Sequence, residues 1–143
     1  MSLPIQLFLG TAFLVGCSLI HVSVVIFCIP RLRRVSQLLS KHSQPVRHAA
    51  VLSFGLVAIV AAHTIEIWGW ALGFHILRAF ETFEASFYFS TVTYTTLGYG
   101  DLTLNEELRV FGTFASLTGL LAFGISTAFL IGILGRLLPG DSG

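Results

Sequence analysis

Residues 87–102 read FYFSTVTYTTLGYGDL, and the heart of that stretch is Thr96-Leu97-Gly98-Tyr99-Gly100-Asp101. Gly98 and Gly100 alternate with Leu97 and Tyr99, and glycine enters positive φ without a Cβ penalty, so this backbone is free to take turns closed to other residues. Hydroxyl side chains crowd the approach, at Thr91, Thr93, Thr95 and Thr96. Taken alone, Gly-Tyr-Gly-Asp fits a turn between a buried helix and a loop. The context argues for more: a short apolar segment leads into the motif, and long hydrophobic runs lie on both sides.

In that context the stretch resembles the selectivity-filter signature of potassium channels, and the resemblance extends over about residues 49–136. It implies that the carbonyls of Thr96, Leu97, Gly98, Tyr99 and Gly100 replace the water around a dehydrated potassium ion. Leu97 and Tyr99 then point away from the ion, with Tyr88, Phe89 and Val92 packing behind the filter and Asp101 tuning its outer mouth. Two positions depart from the family pattern. Leu97 stands where valine is usual, which touches packing and not the carbonyl cage. Val92 stands where many members carry a glutamate bonded to the filter aspartate, so Asp101 must find another partner.

Composition places the whole chain in the membrane class: 143 residues, 55% hydrophobic and 10% charged. A net charge of +1 points to no nucleic-acid partner. Residues 3–29, LPIQLFLGTAFLVGCSLIHVSVVIFCI, carry no charge and are long enough to span a bilayer. A signal peptide is the alternative, but no basic segment precedes the run and no small-residue cleavage site ends it. Cys17 and Cys28 fall in this helix about 16 Å apart, too far to pair with each other, and fit apolar packing. His21 is an isolated intramembrane polar group, expected to bond a neighbouring helix.

Pro30 is expected to close this helix, and residues 31–48 form a basic linker holding Arg31, Arg33, Arg34, Lys41 and Arg47 without an acid. The positive-inside rule puts the linker in the cytoplasm and the N-terminus outside. Val35–Lys41 has the pattern of a short helix on the headgroups, with anionic lipid as a further ligand. The second span runs from Ala49 to about Leu72, with Trp68 and Trp70 at the level of an outer aromatic belt. His63 and Glu66, three residues apart, share a helix surface. They read either as a metal or proton site, for which two ligands are too few, or as a polar contact to another helix or to the back of the pore helix. Counted from Ala49, Glu66 lies about 25 Å up, near the outer interface.

Residues 82–95 make a helix about 21 Å long, too short for a hydrocarbon core of about 30 Å, so it enters and turns back. Glu81 and Glu84 suit its N-terminus, while its C-terminal dipole favours a cation at the membrane centre. Thr103 with Glu106 reads as a capping box opening the last helix, residues 106–138, which is followed by a tail, 139–143. The segment around Gly119 resembles the pore-lining helix of small bacterial potassium channels, which makes Gly119 a gating-hinge candidate; close helix packing is the competing reading. Leu120, Phe123, Thr127 and Ile131 share one face and are the cavity-lining candidates.

The fold expected is an all-α membrane protein: three transmembrane helices per subunit, a re-entrant pore helix and filter, four copies around an axis. The function implied is passive, potassium-selective conduction by a homotetramer, with potassium ions in the filter and no organic cofactor. A weakly selective cation channel and a non-conducting regulatory subunit are the alternatives, and an enzyme built on His63, Glu66 and His75 is disfavoured. Arg-repeat voltage sensing and a cytosolic ligand domain are not expected, which leaves lipid, tension, pH or an unidentified regulatory partner as triggers. Short loops without disulfides suit a bacterial inner membrane.

Overall fold

A computed structural model describes residues 1–137, in four helices: α1 (Leu3–Leu38), α2 (Gln44–Ile76), α3 (Phe83–Tyr94) and α4 (Arg109–Leu137). Leu138 and the expected tail 139–143 lie outside the described residues. Three of the four, α1, α2 and α4, are long and apolar enough to cross a membrane. α3, with 12 residues, is not.

α1 continues through Pro30 to Leu38, where closure at the proline was expected. A proline inside a helix removes one backbone bond and disturbs the carbonyls of the preceding turn. Here the Arg31 guanidinium donates to the Phe27 carbonyl, giving the disturbed turn a charged donor, and the helix passes on. The separate headgroup helix and the long linker are therefore corrected. Val35 to Leu38 belongs to α1, α2 begins at Gln44, and only residues 39–43 turn between them.

α1 packs along both α2 and α4. Close approach is possible because Gly10 leaves room for the Phe114 ring; a Cβ there would meet it at 2.4 Å. Gln6, 4% exposed, reaches the first turn of α4 and accepts hydrogen bonds from Val110 N (3.1 Å) and Phe111 N (3.2 Å). Its amide also donates to the Glu106 carbonyl. A side chain of α1 thus caps α4. The capping box expected from Thr103 and Glu106 is replaced by this arrangement, with a turn over Glu106–Leu108 and the helix proper starting at Arg109.

The larger core cluster gathers Cys17, Trp70, Phe74, Tyr94, Phe111, Ala115 and Ala122. Trp70 is fully buried, against Phe13, Phe74 and Phe111, so it is a core residue and not part of an aromatic belt. Trp68 stays half-exposed and packs against the rings of Phe83 and Phe87. A second cluster, Cys28, Leu32, Val51 and Ile133, closes the other end of the bundle. Both cysteines are free and buried.

Candidate functional site

α3 starts where Thr82 accepts a hydrogen bond from Ala85 N (3.1 Å), with Glu84 in the first turn to complement the helix dipole. Its hydroxyls mostly bond back into the helix: Thr91 to the Phe87 carbonyl and Thr95 to the Thr91 carbonyl. Ser90 instead donates to the Ile67 carbonyl (2.7 Å) and Ser116 to the Thr93 carbonyl (3.0 Å), fixing α3 between α2 and α4.

The chain leaves α3 by folding over Val92, whose carbonyl accepts from both Leu97 N (3.0 Å) and Gly98 N (3.2 Å). Beyond that anchor every second residue has positive φ: Thr96 (60°), Gly98 (57°) and Gly100 (76°). Two of the three are glycines, for which that conformation carries no Cβ penalty. Thr96 is the exception, and strain at a non-glycine residue is a mark of functional backbone. Leu97 and Tyr99, between them, are 55% and 67% exposed on this chain.

Of the residues expected behind the filter, Val92 is buried and supplies the anchoring carbonyl. Phe89 has Phe74 and Phe80 as its ring neighbours, at 5.1 and 5.0 Å, and so belongs to the packing of α3 on α2. Tyr88 donates its hydroxyl to Asp101 Oδ2 (2.7 Å), the partner that Val92 cannot be. That bond holds the Asp101 carboxyl below the usual carboxylate range.

Gly119 lies against the end of α3. A Cβ there would stand 1.9 Å from the Tyr94 carbonyl oxygen, so the close-packing requirement accounts for the glycine, and α4 runs unbroken through it. Leu120, Phe123, Thr127 and Ile131 all lie on exposed positions of α4. His75 meets Phe83 edge to face, away from His63 and Glu66.

The polar residues of the spans converge behind α3 in a closed ring. His21 Nδ1 meets Glu66 Oε2 (3.1 Å), Tyr94 donates to the same oxygen (2.5 Å), His63 Nδ1 meets the Tyr94 hydroxyl (2.7 Å), and Ser126 Oγ meets Nε2 of both His63 (3.1 Å) and His21 (3.0 Å). The polar-contact reading of His63 and Glu66 thus has its partners in α1, α3 and α4. From Glu66, α2 continues to Ile76, about 15 Å further. Tyr94 and Ser126 carried no individual signal in the sequence. Isolated polar residues in apolar helices are the only clue to such a ring, and spacing cannot pair them.

A family model described as Ion channel matches residues 51–136, more than half of the chain. The chain belongs to this family, whose members carry two transmembrane helices and a pore loop, the segments here formed by α2, α3 and α4. Neither a curated protein nor a solved structure gives a significant match. The chain is accordingly an integral membrane protein of the ion-channel class, with α1 entirely outside the matched segment.

Proposed function

We propose that the chain is one quarter of a homotetrameric, potassium-selective channel that conducts passively. The observation that carries this reading is the alternation of positive φ at Thr96, Gly98 and Gly100 directly after a short helix anchored through the Val92 carbonyl. Such alternation allows successive carbonyls to be aimed at a common axis, and rings of carbonyl oxygens are what a dehydrated potassium ion needs. One strand supplies one side of such a ring, so a rotational assembly of four copies completes it. The exposed Leu97 and Tyr99 side chains are then available to the neighbouring copies.

α3, about 18 Å long, cannot cross a hydrocarbon core of about 30 Å and is read as re-entrant. Its carbonyl end favours a cation waiting below the filter. Leu120, Phe123, Thr127 and Ile131 would line that cavity from the exposed face of α4. The basic residues around the α1–α2 turn, Arg31, Arg33, Arg34, Lys41 and Arg47, favour a cytoplasmic position for it and an external N-terminus.

The test is ion flux from liposomes holding the purified protein under potassium and sodium gradients, beside Gly98→Ala. At a φ of +57° alanine is strained by about 1–2 kcal/mol in every copy, and a filter cannot keep its register. Potassium flux well above sodium flux, abolished by Gly98→Ala, is expected. Equal sodium flux would demote the protein to a weakly selective cation channel. Chemical cross-linking that stops at dimers would refute the tetramer.

A further inference from the structure

We propose that His21, His63 and Glu66 form a binding site for one divalent transition-metal ion of the zinc class, which staples α1 to the pore unit. One candidate ligand atom from each residue lies within 4.8 Å of the other two, and His21 and Glu66 are sealed from solvent. His63 and Glu66 on α2 alone offer too few ligands. The third comes from α1, a helix entirely outside the family match.

Ser126 sets the donor atoms. Its oxygen lies within hydrogen-bond reach of Nε2 of both histidines, and a hydroxyl can accept from two donors but donate to only one. It serves both rings alike when each carries its hydrogen on Nε2. Both Nδ1 atoms then carry lone pairs, that of His63 beside the Tyr94 hydroxyl at 2.7 Å, and both face the same carboxylate oxygen, at 3.1 Å from His21 and 3.8 Å from His63. Ligands of a tetrahedral zinc ion stand about 3.3 Å apart, so those two separations need shift by only about half an ångström, and the two Nδ1 atoms must draw together. Tyr94 still donates to Glu66, completing the outer support that fixes ligating groups.

Without an ion, the five bonds of the ring require five hydrogens. Neutral His21, His63, Tyr94 and Ser126 supply four, so the closed ring holds one additional proton with the carboxylate. A metal ion takes the place of that proton and leaves every ring nitrogen partnered. Two further observations favour a cation here. Glu66 Oε1 is buried and has no hydrogen-bond partner among the described residues. Tyr94 is the last residue of α3, whose carbonyl end carries partial negative charge. Two imidazoles and one carboxylate suit zinc, cobalt or nickel and not calcium, magnesium or potassium, which prefer all-oxygen shells. His63, the less buried histidine, lies beside the exposed Phe123 and is the side from which an ion would enter.

The experiment equilibrates the full-length purified protein, stripped with a chelator, with Zn²⁺ and measures bound metal per chain. Co²⁺ is used in parallel for its tetrahedral absorption bands. One ion per chain is expected, undisturbed by excess Mg²⁺ and accompanied by a raised melting temperature. His21→Ala should abolish binding. Glu66→Gln, which keeps the side-chain shape and so guards against misfolding, should weaken it by more than about a hundredfold, since even an outer partner of a ligand is worth about tenfold to a hundredfold. No stoichiometric binding by the unaltered protein, or binding unchanged in both variants, would overturn the proposal. The readout is independent of ion flux.

Discussion

At the scale of single residues, the Tyr88–Asp101 bond is the feature most open to test. The hydroxyl stabilises the ionised carboxylate, so the Asp101 pKa lies below its ordinary value of 3.8. A depressed carboxylate pKa adds stability that is present above the ordinary value and is lost as pH falls through the depressed one. Tyr88→Phe removes the donor, and the Asp101 titration midpoint, followed by carboxyl carbon NMR, should move up toward 3.8. An unmoved midpoint would mean that the bond does not form. Gly119 gives a second prediction at this scale. The Tyr94 carbonyl sits where an alanine methyl would go, and backbone cannot swing aside as a side chain can. Gly119→Ala should cost more than the about 1–3 kcal/mol of ordinary overpacking, because the obstacle is main chain. Thermal melting measures it, and a variant as stable as the parent would argue against the close approach.

At the scale of elements, α4 depends on α1 for its beginning. The N–H groups of Val110 and Phe111 belong to the first turn, which has no intrahelical acceptors, and Gln6 supplies one oxygen to both. Gln6→Ala should destabilise the protein by about 0.5–2 kcal/mol, the usual range for a lost N-cap. Hydrogen exchange should accelerate at those two amides first, and exchange rising evenly along α4 would contradict a cap. Pro30 teaches the opposite lesson about boundaries. Its ring marks a stop by local rules, yet the following Arg31 offers a donor to the preceding turn and the helix continues to Leu38.

At the scale of the whole molecule, what was legible in the sequence was what depends on neighbours along the chain. The three spans follow from long apolar runs, and the short α3 from Glu81 and Glu84 at one end and the glycine motif at the other. What depends on contacts between distant residues was not legible. His21 and Ser126 are separated by 105 positions, and neither predicts the other. Trp70, placed in a membrane belt by its type, turned inward because Phe13 of α1 and Phe111 of α4 close over it. The alternating backbone at residues 96–100 was half legible. Glycine announced the positive φ at two positions, while Thr96 takes it without any such permission.

The seat of Gly119 on the end of α3 has a mechanical meaning. Two contacts at the same place, the Ser116 hydroxyl bonded to the Thr93 carbonyl and the glycine packed against the Tyr94 carbonyl, make that spot a fulcrum. From it α4 extends about 15 Å to Arg109 and about 27 Å to Leu137. A rigid α4 rocking on that point swings its far end almost twice as far as its near end, and leaves the backbone at the fulcrum nearly still. The lever is therefore geared: a wide excursion at the Leu137 end demands little of residues 96–100, whereas a small shift of the Thr93–Tyr94 seat is magnified along the longer arm.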